Sequence, residues 1–207
     1  MLRRIRWAAV GLLAVLLLAW AAAWMRPGLF GGALSGAMGV VTPGGVTVGG
    51  PFTLTDTHGA TVTDATYRGR WMLVYFGYTF CPDVCPTELQ TIAAALDQLG
   101  PEAAKLVPLF ITVDPERDTV AAMADYVKLF DDRLVGLTGT PEQIAAAARA
   151  YRVYYVRATP KDSSSYLMDH SSFVYLMAPD GSFRALFRPG TTPQDLAAAI
   201  RTRLAAS

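Results

Sequence analysis

Apolar and polar positions follow three different patterns along the 207 residues of the chain. Residues 7–25 carry no charge, residues 27–45 are rich in glycine, and from residue 46 onward short apolar runs alternate with segments of helical periodicity. The last pattern predicts strands at 71–76, 106–113, 134–137, 153–156, 172–177 and 183–187, and helices at 87–99, 119–130, 141–150 and 192–205. Strands that alternate with helices are typical of an α/β domain.

The predicted elements have recognisable boundaries. Residues 46–62 alternate in polarity around a central turn, which is typical of a β-hairpin. The run 71–76 is apolar at nearly every position, as expected for a central strand that is covered on both faces. Asp118 is predicted to cap the second helix, and Thr140 is predicted to form a capping box with Gln143 at the third. With the final hairpin and helix, these features predict a thioredoxin-like α/β fold with an N-terminal β-hairpin.

The uncharged residues 7–25 predict a transmembrane helix before this domain. At about 1.5 Å per residue they would extend about 28 Å, enough to cross the hydrocarbon core of a bilayer. Three arginines precede the run and one follows it, which places the N-terminus in the cytoplasm. We predict a single-pass inner-membrane anchor at 1–26, a flexible linker at 27–45 and a periplasmic domain at 46–207. A secretory signal cleaved after residues 21–23 is the alternative.

The composition limits the classes of partner and of chemistry. Lysine and arginine total 18 and aspartate and glutamate total 17, so the formal net charge is +1. This balance does not predict a nucleic-acid-binding surface. The chain contains two cysteines, Cys81 and Cys85, and two histidines, His58 and His170. Any site that needs sulfur or imidazole must therefore use these four residues.

The two cysteines lie between the predicted central strand and the helix that follows it, where ligands collect in open α/β sheets. Pro86 is predicted to open that helix, which places Cys85 at or beside the N-cap, where a thiol pKa is lowered. Three residues separate the cysteines, so both sulfurs can bind one ion or form a disulfide. A structural disulfide is one alternative. A peroxidatic thiol is another, although Tyr78 and Pro82 stand where a threonine is expected.

His170 is predicted to complete a metal site with the two cysteines, whereas His58 is predicted to be a solvated turn residue. In a thioredoxin-like sheet, the segment that enters the strand 172–177 lies close to the start of the first helix. Two thiolates and one imidazole suit Cu(I), and the nitrogen keeps Cu(II) accessible. Zinc prefers a fourth ligand, which Asp83 or Asp169 could supply, so zinc is disfavoured but stays open.

Several segments resemble the signature of the Sco/SenC family, above all the sequence GYTFCPDVCPTEL at 77–89. The resemblance extends over about 46–206 and is carried by residues 50–54, 77–89, 113–119 and 169–177. It implies a membrane-anchored protein of thioredoxin fold that binds copper through Cys81, Cys85 and His170. It also implies a role in assembling the dinuclear copper centre of cytochrome c oxidase subunit II, or in serving another cuproprotein.

Two main functions follow from these residues. The first is a metallochaperone that binds copper through the two thiols and the imidazole and passes it on by ligand exchange. The second is a thiol–disulfide oxidoreductase that keeps the cysteines of the oxidase copper site reduced, which needs Cys81 and Cys85 but not His170. A copper or redox sensor is a third possibility, for which the sequence identifies no signalling surface.

Overall fold

A computed structural model describes residues 40–41, 47–159 and 165–206. The strands in these residues are β1 (Val40–Val41), β2 (Thr53–Asp56), β3 (Thr61–Thr63), β4 (Trp71–Gly77), β5 (Leu106–Thr112), β6 (Val135–Thr138), β7 (Tyr155–Ala158), β8 (Leu167–His170), β9 (Val174–Met177) and β10 (Phe183–Phe187). The α-helices are α1 (Val84–Leu99), α2 (Val120–Lys128), α3 (Pro141–Ala150) and α4 (Pro193–Leu204). Two 3₁₀ helices lie at Asp64–Tyr67 and Gly100–Lys105. The order confirms the predicted alternation of strands and helices.

Among the described residues, eight strands form one mixed sheet in the order β1-β10-β9-β4-β5-β6-β2-β3. Strand β4 is parallel to β5 and antiparallel to β9, and β5 is parallel to β6. Strands β7 and β8 form a separate antiparallel ribbon. Since β8 ends at His170, the predicted imidazole ligand belongs to this ribbon and not to the main sheet.

Strand β4 lies at the centre of the core. All seven of its residues are buried, and so are all seven residues of β5. This confirms the prediction that the apolar run 71–76 is covered on both faces. Because parallel strands end at the same edge, Gly77 at the end of β4 pairs with Thr112 at the end of β5. The segment after β4 therefore carries the cysteines at the carboxyl edge of the sheet.

Helix α1 buries an apolar face in the core that it shares with the sheet. The face consists of side chains at helical spacing, Leu89, Ile92, Leu96 and Leu99. Burial of each such side chain contributes roughly 1.5–3 kcal/mol to stability. Helix α1 also packs against α4. These contacts fix the helix whose first turn contains Cys85.

Several local predictions are confirmed. The N-terminal hairpin consists of β2 and β3, and the C-terminal hairpin consists of β9 and β10. The hydroxyl of Thr140 accepts from the amide of Gln143, whose side chain accepts from the amide of Thr140. This is the predicted capping box at the start of α3.

Two predicted helix starts are wrong. Helix α1 begins three residues earlier than the predicted start at residue 87, so Pro86 is its third residue and Cys85 lies inside its first turn. Proline is accepted there because the first N–H groups of a helix have no partner within it. The N-cap of α2 is Thr119, whose hydroxyl accepts from the amide of Ala122, and not Asp118.

The sequence predicted one strand of the ribbon but neither its second strand nor their pairing. The strand expected at 153–156 is β7, two residues further along the chain. Residues 167–170, in the segment that enters the predicted strand 172–177, form β8. Tyr155 pairs with His170 across the ribbon. The histidine is therefore held in an extended strand.

The predicted anchor at 1–26 and most of the predicted linker lie outside the described residues. Within the linker, Val40–Val41 form β1, which pairs with Leu186 and Phe187 of β10. Over the ranges that the structure describes, every helix is too short or too polar to cross a bilayer. The anchor stays a prediction from the sequence.

Candidate metal centre

Three donor atoms meet at the carboxyl edge of the sheet: the sulfurs of Cys81 and Cys85 and a ring nitrogen of His170. They lie within 4.8 Å of one another. Nε2 of His170 is 3.3 Å from Sγ of Cys85, and the amide N–H of Cys85 donates to Sγ of Cys81 at 3.4 Å. Both cysteines are free thiols. The structure thus brings together the three residues singled out in the sequence, although 85 positions separate Cys85 from His170.

Cys85 is the most deeply buried of the three candidate ligands. Its side chain is fully buried, whereas Cys81 and His170 are half-buried at the rim. The first turn of α1 places the thiol against the end of β4, where Gly77 leaves room for it. A Cβ atom at Gly77 would lie 2.9 Å from Sγ of Cys85 and 2.8 Å from the ring of Phe110. A side chain at position 77 would therefore displace the sulfur.

A buried carboxylate holds the loop that leads to Cys81. Asp118 accepts hydrogen bonds from the amide N–H of Thr79 at 3.0 Å and from its hydroxyl at 2.6 Å. It also accepts from the hydroxyl of Thr112 at 2.6 Å, and its own backbone oxygen accepts from Thr138. Burial raises the pKa of the Asp118 carboxyl, although the hydrogen bonds oppose the shift. The sequence predicted Asp118 as a helix cap and gave no sign of this role as a buried hydrogen-bond acceptor.

His170 is oriented by its backbone neighbour and by two tyrosines. Nδ1 lies 3.3 Å from the carbonyl oxygen of Ser171. A proton on Nδ1 would donate to that oxygen and leave Nε2 free to face the sulfurs. The rings of Tyr75 and Tyr78 meet the imidazole edge-on, with centroid distances of 6.4 and 5.8 Å. Because side chains alternate along β8, Asp169 projects from the other face of the ribbon, where it is exposed.

Without metal, the two thiols form an unequal pair. The hydrogen bond with Cys85, followed by those from His170 and the backbone of Asp83, lowers the pKa of Cys81 well below that of an ordinary thiol, against the effect of partial burial. The same interaction with Cys81, together with burial, raises the pKa of Cys85. We therefore expect Cys81 to be the thiolate and Cys85 to be the thiol near neutral pH. Metal binding to both sulfurs would release the remaining proton.

This donor set suits a soft metal ion. Thiolate sulfur favours Cu(I), and imidazole nitrogen is a good ligand for either oxidation state of copper. In the described part of the chain, the group of donors contains no carboxylate, so neither Asp83 nor Asp169 supplies the fourth ligand that zinc prefers. Two of the three donors lie at the rim, which leaves one side of an ion accessible to another molecule.

His58, the other histidine, lies away from this site. It is exposed in the turn between β2 and β3, where its amide N–H donates to the Asp56 carboxylate at 2.9 Å. The prediction of a solvated turn residue is confirmed.

Arg117 and Tyr166 border the site and were not predicted. The guanidinium carbon of Arg117 lies 3.8 Å from the centroid of the Tyr166 ring. Arg117 falls in the segment 113–119 that resembles the family signature, which is a signal that could have marked it. Tyr166 directly precedes β8, and no sequence pattern distinguishes it.

Comparison with known proteins gives matches over the whole described domain. The family model for SCO1/SenC matches residues 41–205. Over 159 residues the chain is 46% identical to the human mitochondrial protein SCO1 homolog, an alignment that covers 76% of this chain and 53% of that protein. The chain thus spans about half the length of this curated relative.

Two solved structures are similar to the fold described above. Arabidopsis thaliana ScoI with copper bound has a TM-score of 0.74 and 43% identity, and the match covers 77% of this chain and 99% of that chain. Bradyrhizobium japonicum ScoI with copper bound has a TM-score of 0.69 and 46% identity, over 75% of this chain and 98% of that chain. The predicted thioredoxin-like α/β class of the domain is confirmed.

Proposed function

Because this chain belongs to the SCO1/SenC family, we propose that it is a copper metallochaperone whose ligands are Cys81, Cys85 and His170. The observation that carries the proposal is the convergence of two thiols and an imidazole within 4.8 Å. The relatives from Arabidopsis thaliana and Bradyrhizobium japonicum that have copper bound support the choice of metal.

The geometry supports binding followed by release. The enclosed sulfur of Cys85 would hold the ion from below, while Cys81 and His170 at the rim are open to an incoming ligand. In ligand exchange, a recipient thiolate forms a bond to Cu(I) as the bond to Cys81 breaks, and copper keeps its oxidation state. The released Cys81 stays a thiolate because its pKa is low. Cys85, whose pKa is raised, takes up a proton when it lets the ion go.

We propose subunit II of cytochrome c oxidase, or another cuproprotein, as the recipient, because the resemblance to the Sco/SenC family implies it. The uncharged N-terminal run supports an anchor at 1–26 in the inner membrane, and its flanking arginines support a periplasmic domain at 46–207. The linker at 27–45 would let the domain reach a recipient that is also bound to the membrane.

A thiol–disulfide oxidoreductase is the second candidate, because both cysteines are free, close together and unequal in pKa. The Cys81 thiolate would attack a disulfide of the recipient, form a mixed disulfide and release one recipient thiolate. Cys85 would then lose its proton and attack Cys81, which frees the second recipient thiolate. Two electrons pass to the recipient as this chain gains a disulfide, and His170 is not needed.

A complementation experiment separates the two candidates. The full-length chain is expressed in a bacterium that lacks its own SCO1/SenC protein, and cytochrome c oxidase activity is measured in its membranes. His170→Ala removes one copper ligand and neither thiol, so a copper chaperone predicts activity close to that of the strain without the protein. His58→Ala changes the exposed turn histidine and is the matched control, for which we expect wild-type activity.

Wild-type oxidase activity with His170→Ala, combined with loss of activity with Cys81→Ser, would contradict the chaperone and favour the oxidoreductase. Protein levels in the membrane are measured for each variant, so that a loss of activity is not confused with degradation.

A further inference from the structure

The imidazole and the sulfurs are carried by different parts of the fold. His170 belongs to the β7–β8 ribbon, whereas Cys81 and Cys85 follow β4 of the main sheet. The backbone ladder of the sheet therefore does not fix the distance between the histidine and the cysteines. Contacts between the ribbon and the body of the domain must fix it.

One arginine reaches both parts. The guanidinium carbon of Arg117 lies 3.8 Å from the centroid of the Tyr166 ring and 4.7 Å from the centroid of the Phe80 ring. Nη1 of Arg117 also donates to the carbonyl oxygen of Tyr166 at 3.0 Å. Phe80 directly precedes Cys81, and Tyr166 directly precedes the strand that ends at His170. The arginine thus joins the cysteine loop to the ribbon.

The position of this arginine is itself fixed by a buried carboxylate. Nε of Arg117 donates to one oxygen of Asp114, whose side chain is 2% exposed. The other oxygen of Asp114 accepts from the hydroxyl of Tyr166 at 2.9 Å. A planar guanidinium can stack on a ring while its in-plane N–H groups donate, which a lysine ammonium cannot do.

Other contacts also hold the ribbon, among them the edge-on contact between Tyr78 and His170. Met168 of β8 is buried in the hydrophobic core, so the ribbon would stay on the domain if Arg117 were replaced. Arg157 of β7 pairs with Glu116 at 2.6 Å, but their side chains are 47% and 60% exposed. Exposed ion pairs contribute little to stability.

We propose that Arg117 is a positioning residue for the copper site: it ties the ribbon that carries His170 to the loop that carries Cys81. The inference rests on the function proposed above. Removal of a group that orients a metal ligand typically costs about 10–100-fold in affinity. Arg117→Met keeps an unbranched side chain but loses the stack and both donated hydrogen bonds, so we expect Cu(I) binding to weaken about tenfold.

A double-mutant cycle tests whether this effect runs through the histidine. Dissociation constants for Cu(I) are measured by chelator competition on the full-length wild type, Arg117→Met, His170→Ala and the double variant. We expect Arg117→Met to weaken binding about tenfold in the wild type and less than about twofold in the His170→Ala background. A purely structural role would weaken both backgrounds equally.

Arg133→Met is the matched control. Arg133 also pairs with two carboxylates, those of Asp97 and Asp131, but it makes no contact with the copper ligands among the interactions described for it. Its replacement should leave the dissociation constant unchanged. If Arg117→Met does not fold, as judged by circular dichroism, Arg117→Lys replaces it in the same cycle. We then expect a smaller loss of Cu(I) affinity, which again disappears in the His170→Ala background.

Three results would overturn the inference. The first is an affinity of Arg117→Met within about twofold of wild type, although His170→Ala binds copper more weakly. This result contradicts the positioning role but not the proposed copper site. The second is an equal loss in both backgrounds. The third is wild-type affinity of His170→Ala, which contradicts the proposed copper site and the positioning role with it.

Discussion

Replacing Cys85 with serine is expected to weaken Cu(I) binding by about 1000-fold or more, which is about 4 kcal/mol. Cys85 is fully buried, so its sulfur would hold the ion where solvent ligands do not compete. A serine hydroxyl is a hard donor and does not ionise in a buried position near neutral pH. The remaining thiolate and imidazole would then bind copper at the rim only. Competition with a Cu(I) chelator on the full-length chain measures the change.

Gln90→Ser is the matched control for this variant, because Gln90 is exposed on the same helix. It introduces the same side chain without touching the site and should bind Cu(I) as the wild type does. A Cys85→Ser affinity within about tenfold of wild type would show that the buried sulfur is not a ligand.

Asp118→Ala is expected to lower the free energy of unfolding by about 3 kcal/mol, even without copper. The substitution leaves the amide and hydroxyl of Thr79 and the hydroxyl of Thr112 without their acceptor in the interior. A buried donor without a partner costs about 1–3 kcal/mol, and hydroxyl groups recover part of this by rotation. The measurement is urea denaturation of the metal-free protein.

The stability lost in Asp118→Ala should depend on pH in a defined direction. Burial raises the pKa of Asp118 above its value in the unfolded chain, so protonation of this carboxyl favours the folded state. The stability lost in Asp118→Ala should therefore be larger near pH 4 than at pH 7. Asp97→Ala is the control, since Asp97 is 75% exposed and its ion pair contributes at most about 1 kcal/mol. An Asp118→Ala loss no larger than that of the control would contradict the role of the buried carboxylate.

The central strands of the main sheet could be predicted because they carry a signal that needs no knowledge of their neighbours. All seven residues of β4 and of β5 are buried, and each strand reads as a nearly continuous apolar run. The capping box of Thr140 and Gln143 is local in the same sense. Both features depend only on residues within a few positions of one another.

The ribbon and the N-cap of α2 could not be predicted from neighbouring residues alone. Strands β7 and β8 have four residues each with mixed burial, so their formation depends on a partner across a loop. Asp118 and Thr119 are both good capping residues, and only the tertiary contacts of Asp118 with Thr79 and Thr112 decide which of them caps α2.

The three candidate ligands could be predicted because the chain contains few residues that could serve. Two cysteines and two histidines leave few combinations, and the placement of Cys81 and Cys85 after a central strand selects the edge of the sheet. The contacts that align these ligands gave no such signal. Arg117 and Tyr166 are 49 residues apart, and their stacking follows from the folded arrangement and not from any spacing in the sequence.

Copper K-edge X-ray absorption on the full-length chain, loaded with one equivalent of Cu(I), decides whether these residues bind one ion. A site built from Cys81, Cys85 and His170 predicts a first shell of two sulfurs and one imidazole nitrogen, and loss of the nitrogen in His170→Ala. A wild-type shell that contains two sulfurs but no nitrogen, or only one sulfur, would contradict it.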